Sequence, residues 1–306
     1  MLSRDYLATI SQLSRNYLVS RKTDRKSKAR LTLRNLNMLK LFDHPLSPYS
    51  QKVKIALLEK GVDCEIVQPE AFGSGQVQGE FVRANPRGEV PALIHDDICV
   101  YDSTIILEYI EDFWPTPALL PTKPAERARV RMLEEVMDTH YEAVIWGLAE
   151  IKYFGRASGD QAAAITTLAG EQIAHWNHWL ESQLDNRPWF NGNDFGWGDL
   201  AVVPCVVNAA NYGFSPPPGT NLARWLNAVM QVPSVAAVMA VAKENAFDGE
   251  KMDFSGVQAA LEAGLFKREY RDHRLEWMIK TAGLQIVADG LEKQNIRFTG
   301  VFGTLS

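Results

Sequence analysis

The spacing of apolar positions along this 306-residue chain changes more than once, and the changes mark its organisation. Over residues 1–37 a few Leu and Ile residues are scattered among Arg, Ser and Tyr. From Met38 short apolar runs alternate with helical stretches, which is the signal of an α/β unit. Leu39 to Phe42 predicts a strand. Pro48 to Lys60 predicts a helix with Val53, Ala56 and Leu57 on one face and Gly61 as its stop. A second strand follows at Cys64 to Val67. After Gly73, Gly75, Gly79 and a helical turn near Phe81, Pro91 to His95 and Ile98 to Tyr101 predict a hairpin turning at Asp96 and Asp97. A helix from Ser103 to Phe113 closes the unit in the order βαβαββα.

Four prolines (115, 117, 121 and 124) then interrupt the chain and mark a linker. Beyond it the pattern is helical. Pro124 sits at a first helical position with a helix running to about Tyr153. Ile173, Trp176, Leu180 and Leu184 share a face of the next helix, and further helices start near Trp197, Leu222 and Ser234. Arg268 to Lys293 predicts one continuous helix with Leu275, Met278, Ile279, Ala282 and Ile286 on a stripe. The resulting division is a basic extension at 1–37, an α/β domain at 38–115, an all-helical domain at 124–265 and a helical extension at 266–306.

Composition changes this picture in three places. With 46% hydrophobic residues the chain can bury the core of about two domains. Its longest apolar runs fall well short of the roughly 20 residues that cross a bilayer, so no membrane role is expected. Cys64, Cys99 and Cys205 are an odd, widely spaced set, which points to a reducing compartment, with neither a disulfide framework nor a zinc site. His175 and His178 lie three apart on a helix with no third ligand, so no metal is expected.

The net charge of −5 conceals an arm at residues 1–37 with nine Lys or Arg against Asp5 and Asp24, leaving the remainder at −12. That body argues against a nucleic-acid partner. The arm has three open readings: an organelle transit peptide, a disordered tail, or an upstream extension with Met38 as the true start. A cytoplasmic protein is the expectation, with targeting by the arm as its alternative.

The candidate chemistry lies between the first strand and first helix, at Phe42-Asp-His-Pro-Leu-Ser47-Pro48-Tyr49-Ser50. Backbone N–H groups and the helix dipole converge there and stabilise an anion. Where redox relatives of the thioredoxin fold carry Cys-x-x-Cys, this turn reads Ser47-Pro-Tyr-Ser50, which excludes dithiol exchange. A hydroxyl remains, able either to cap the helix or to donate to a thiolate supplied by another molecule. Two further features bear on that choice. Val90-Pro91 opens the third strand, where a cis proline leaves the preceding backbone free to pair with an extended peptide. Asp102-Ser103 offers a carboxylate, a hydroxyl and free N–H groups to the two charges of an amino-acid-like moiety. In this order and spacing they describe a tripeptide site.

Here the sequence resembles the glutathione transferase superfamily, over about residues 38 to 265. Ser47-Pro-Tyr-Ser-Gln-Lys-Val-Lys-Ile-Ala-Leu-Leu-Glu-Lys-Gly61 is similar to the first helix of the serine-type classes. Asn85-Pro-Arg-Gly-Glu-Val-Pro-Ala-Leu93 resembles their cis-proline segment, and Tyr101-Asp-Ser-Thr-Ile-Ile-Leu-Glu-Tyr-Ile110 their γ-glutamyl site. The resemblance implies a thioredoxin-like N-terminal domain joined to an all-helical one, homodimeric, with glutathione as co-substrate and no permanently bound cofactor. It makes Ser47 the catalytic hydroxyl, Val90 and Pro91 the cysteinyl contact, and Asp102 with Ser103 the γ-glutamate clamp. Phe42, near the place of the phenol in tyrosine-type classes, has no hydroxyl to offer.

Three positions depart from the family pattern. Glu89 stands where Gln or Lys is usual and would repel the glycyl carboxylate. Gln76, Val77 and Gln78 replace basic residues expected to hold that same group. Gly196 replaces the serine of a capping box whose Asp199 remains able to reach back.

The implied activity is conjugation of glutathione to a small hydrophobic electrophile in a detoxification role. The electrophile would be held near Tyr141 and Trp146, with Tyr153 and Phe154 also available. A non-catalytic binding module, and a glutathione-dependent peroxidase, dehalogenase or lyase, are the alternatives.

Overall fold

A computed structural model describes residues 39–70, 78–245 and 255–298. The basic arm at 1–37, the loop positions Gly73 and Gly75, and Gln76 and Val77 lie outside the described residues. The α/β unit is β1 (Leu39–Phe42), α1 (Pro48–Glu59), β2 (Glu65–Val67), α2 (Glu80–Ala84), β3 (Ala92–His95), β4 (Ile98–Tyr101) and α3 (Ser103–Phe113). The sheet order is β2-β1-β3-β4, with β1 and β2 parallel and β3 antiparallel to both β1 and β4. This is the mixed thioredoxin-like sheet. Leu41, Val53, Ala56, Leu93, Ile106 and Ile110 are all but sealed from solvent between the sheet, α1 and α3.

The helical part consists of α4 (Pro124–Val136), a π-helical turn (Met137–Tyr141), α5 (Glu142–Lys152), α6 (Gly159–Leu184), α7 (Trp197–Asn211), α8 (Asn221–Val229), α9 (Pro233–Asn245) and α10 (Ser255–Glu262). The predicted long helix from Pro124 is therefore present, but with one widened turn at its centre. Helices α7 and α9 pack on α1, so a single core joins the two parts.

Asp199 holds the start of α7. It accepts from the N–H of Gly196 (3.1 Å), Phe190 (2.8 Å) and Asn191 (3.3 Å) and from Trp225 Nε1 (2.8 Å). Burial raises its carboxyl to about 6, against the lowering effect of these bonds. Crowding explains the glycine at 196. An added Cβ would meet Asn191 Nδ2 at 2.2 Å and the Leu119 carbonyl oxygen at 2.4 Å.

The C-terminal region departs from the expected single helix. It forms β5 (Arg268–Glu269), α11 (Asp272–Met278), a π-helical turn (Ile279–Gly283), α12 (Leu284–Glu292) and β6 (Ile296–Arg297), with β5 and β6 paired in parallel. The break lies at Thr281 (φ −101°, ψ 45°) and Ala282 (φ 61°, ψ 15°). Of the expected stripe, Met278 and Ile286 are buried while Ile279 and Ala282 are exposed, and Trp277 and Thr281 are buried as well.

Candidate active site at the end of the sheet

Strand register assembles the candidate residues. Phe42 pairs with Ala92, and Ala92 pairs with Tyr101, so the three form one row across the sheet. The Ser47 turn leaves after Phe42, Val90-Pro91 arrives before Ala92, and Asp102-Ser103 leaves after Tyr101. With strands about 4.8 Å apart, all three segments emerge within about 10 Å at one end of the sheet.

Ser47 is the N-cap of α1. Its Oγ accepts from the Ser50 N–H at 3.3 Å and its carbonyl accepts from Gln51 at 2.9 Å. A hydroxyl that accepts still has its proton to donate. The Val90-Pro91 peptide bond is cis. Asp102 adopts φ 75° and caps α3, its Oδ1 accepting from the N–H of Thr104 (3.1 Å) and Ile105 (3.4 Å). Ser103 beside it is 5% exposed.

The residues behind the turn are tied to the helical part. Tyr49 donates its hydroxyl to the Asp138 carbonyl at 2.7 Å and lies 3.4 Å from His273 Nε2. One turn further along α1, Lys52 Nζ donates to Glu134 Oε1 and Asp138 Oδ2, both at 2.5 Å. Thr104 donates to Glu134 at 2.9 Å, and Trp197 Nε1 donates to its other oxygen at 2.5 Å. Burial and the neighbouring Glu134 carboxylate push Asp138 up to about 6 despite Lys52. Asp138 belongs to the π-helical turn, a distortion frequent at functional sites.

The aromatic wall expected for an electrophile is placed differently. Tyr141 is fully buried, and its hydroxyl donates to Asn177 Oδ1 at 2.9 Å inside the helical core. Trp146 is 6% exposed, with Tyr270 edge-on to it at 4.7 Å and the Arg274 guanidinium 5.4 Å from its ring centre. Phe154 stacks on Phe266 at 6.0 Å, and Arg268 stands 3.8 Å from its ring centre. The chain's own C-terminal segment thus covers Trp146 and Phe154.

Ion pairs fasten that segment. Arg274 Nη2 donates to Glu142 at 2.6 Å, and His273 stands 3.1 Å from the same carboxylate. Burial alone would raise Glu142, but Arg274 and His273 outweigh it and hold the carboxyl at about 2. Arg268 Nε and the Tyr270 hydroxyl meet Glu150 at 2.5 and 2.9 Å. On the other side Arg271 Nη1 donates to Glu89 at 2.8 Å, immediately before Val90. The segment therefore bridges α5 and the entry to β3. The dense run Lys267-Arg-Glu-Tyr-Arg-Asp-His-Arg274 was its only sequence signal, and a periodicity search for a helix passes over it.

A thioredoxin-like sheet whose turn presents a serine above a cis-proline segment, joined to a helical layer, defines the class of fold and site. Comparison with known proteins gives the family. Residues 37–112 match the glutathione S-transferase N-terminal domain. Maleylacetoacetate isomerase of Mus musculus is 33% identical over 176 residues, which is 56% of this chain and 78% of that protein. A stringent starvation protein A homolog of Coxiella burnetii is 25% identical over 60% of this chain and 81% of its own length. Rice GST1, solved in complex with glutathione, superposes with a TM-score of 0.55 at 26% identity, covering 69% of this chain and 99% of that one. The chain belongs to the glutathione S-transferase family.

Proposed function

We propose that this protein binds glutathione across the end of the sheet and uses Ser47 to hold its thiol as a thiolate for attack on a small electrophile. The observation that carries this reading is the Ser47 hydroxyl. It accepts from the Ser50 N–H at 3.3 Å at the mouth of a 12-residue helix, so its own proton is left to donate to a sulfur there. Val90 pairs with the cysteinyl backbone, and Asp102 with Ser103 takes the γ-glutamyl ammonium and carboxylate.

A free thiol with a pKa near 8.5 is only a few per cent ionised at neutral pH. Lowering that value by about two units requires about 2.7 kcal/mol of preferential stabilisation. One charge-assisted hydrogen bond and a helix dipole are of this size. The electrophile is limited to a small one because Trp146 and Phe154 are covered by the C-terminal segment.

Ser47→Ala is expected to lower kcat/KM for thiol conjugation about 100-fold and to raise the apparent pKa of bound glutathione toward that of the free thiol. A pH titration of the ultraviolet absorbance of the bound thiolate checks the second effect. Full conjugating activity in the alanine variant would sink the mechanism. The covered aromatic wall also favours a second reading, a glutathione-binding module without turnover. Glutathione bound by wild type with no conjugation, peroxidase or dehalogenase activity would select it.

A further inference from the structure

Glutathione carries a second carboxylate, on its glycine, and none of the residues so far described accepts it. Continuing the β3–β4 register past Ala92 and Tyr101 sets Asp102-Ser103 opposite Pro91-Val90. A peptide held by its γ-glutamyl end there, and paired through its cysteinyl unit to Val90, extends its other end along Glu89. A lone Glu89 carboxylate would repel that end. Its neighbour neutralises that charge.

Arg271 arrives from the C-terminal segment with Nη1 2.8 Å from Glu89 Oε2 and Nε 3.8 Å from Glu269 Oε1. Glu269 is itself met by Arg297 at 3.0 Å, so the two carboxylates are balanced by two guanidinium groups. Arg274, close enough to act on both Glu269 and Arg271, is itself paired with Glu142 at 2.6 Å. The Arg271 side chain is 27% exposed, so it is not sealed away by these contacts. A guanidinium has five donors, and two monodentate contacts do not exhaust them.

We propose that Arg271 receives the glycyl carboxylate of glutathione, with Glu89 holding its guanidinium at the edge of the site. The proposal rests on the glutathione reading above. It assigns recognition of the tripeptide's C-terminal end to a segment outside the α/β unit, and it makes the docked C-terminal segment part of the ligand site.

The test compares glutathione with γ-glutamylcysteine, which lacks the glycine, by calorimetric titration of the full chain. Wild type is expected to bind glutathione at least about ten-fold tighter, as one hydrogen bond to a charged group provides. Arg271→Gln is expected to remove most of that preference while leaving γ-glutamylcysteine affinity within about two-fold. Loss of a merely structural contact would weaken both ligands together, so the ratio is the readout. Glu89→Gln provides a second variant that keeps the arginine and frees it from its carboxylate; it should tighten glutathione several-fold and leave γ-glutamylcysteine unchanged. A preference preserved in Arg271→Gln, or Glu89→Gln binding the two ligands in the wild-type ratio, overturns the assignment and leaves the glutathione reading standing. Binding of neither ligand by wild type overturns both.

Discussion

Lys52→Met is expected to destabilise the protein by about 3–5 kcal/mol, because it leaves two carboxylates in the core with no cation between them. Lys52 is 1% exposed and is the cation that meets Glu134 and Asp138, each at 2.5 Å. Trp197 and Thr104 donate to Glu134 but bring no charge. The network therefore carries one more negative charge than positive, and the excess falls on Asp138, whose carboxyl is raised to about 6. Lys52→Met should lower the thermal midpoint by roughly 10 °C. An unchanged midpoint would remove the network from any account of how the α/β unit is fastened to the helical part.

Asp138→Asn is the informative contrast, since it leaves Lys52 facing a single carboxylate. Asp138 titrates near 6 when folded, against about 3.9 in an unfolded chain. Between those values the folded state binds more protons, so the stability Asp138 contributes is full below about pH 4 and lost as pH rises through 6. Asp199, also raised to about 6, has the same sign. Glu142, held at about 2, acts oppositely and only as pH falls below its ordinary range. Thermal midpoints between pH 4.5 and 7.5 should therefore decline less steeply in Asp138→Asn than in wild type. A slope unchanged by the substitution would separate Asp138 from this titration.

The local chemistry of the α/β unit was legible in sequence because it is written in neighbouring residues. Turn residues, strand alternation and the prolines at 48 and 91 located β1, α1 and the hairpin. The Phe42–Ala92–Tyr101 row then follows from strand pairing, which brings Ser47, Val90 and Asp102 to one end. The capping role of Asp199 was readable for the same reason, since its partner Gly196 lies three residues away.

Long-range ion pairing was not legible. Glu89 and Arg271 are 182 positions apart, and nothing in either segment names the other. Glu89 taken alone reads as a defect in a glutathione site, while beside Arg271 it is a neutralised anchor. Trp146 and Phe154 read as core more readily than as pocket, because helical spacing records which face is apolar and not what covers it. The continuous helix expected over 268–293 failed at Thr281 and Ala282. An alanine in the left-handed region there has no propensity signal to announce it.

Gly147→Val tests whether the C-terminal segment limits the size of the electrophile in the proposed conjugation. Gly147 lies in α5 directly beneath Trp277, and an added Cβ would fall 1.9 Å from a ring carbon of that tryptophan. Trp277 is 8% exposed and anchored by its Nε1 to Gln172 at 2.6 Å, so the ring cannot shift without losing that bond. Overpacking of this kind costs about 1–3 kcal/mol or more, and moving the ring away from α5 relieves it. Undocking α11 from α5 would carry Tyr270 and Arg274 off Trp146. The variant should therefore show faster proteolysis within 266–298 and higher turnover of bulky aryl electrophiles relative to small ones. Its preference for glutathione over γ-glutamylcysteine should fall, because Arg271 departs with the segment. Adding Trp277→Ala to Gly147→Val should relieve the clash and restore protection, since the smaller side chain leaves room for the valine. If Gly147→Val keeps both the wild-type protease resistance and the wild-type size preference, the segment does not gate the cleft of the proposed conjugation site.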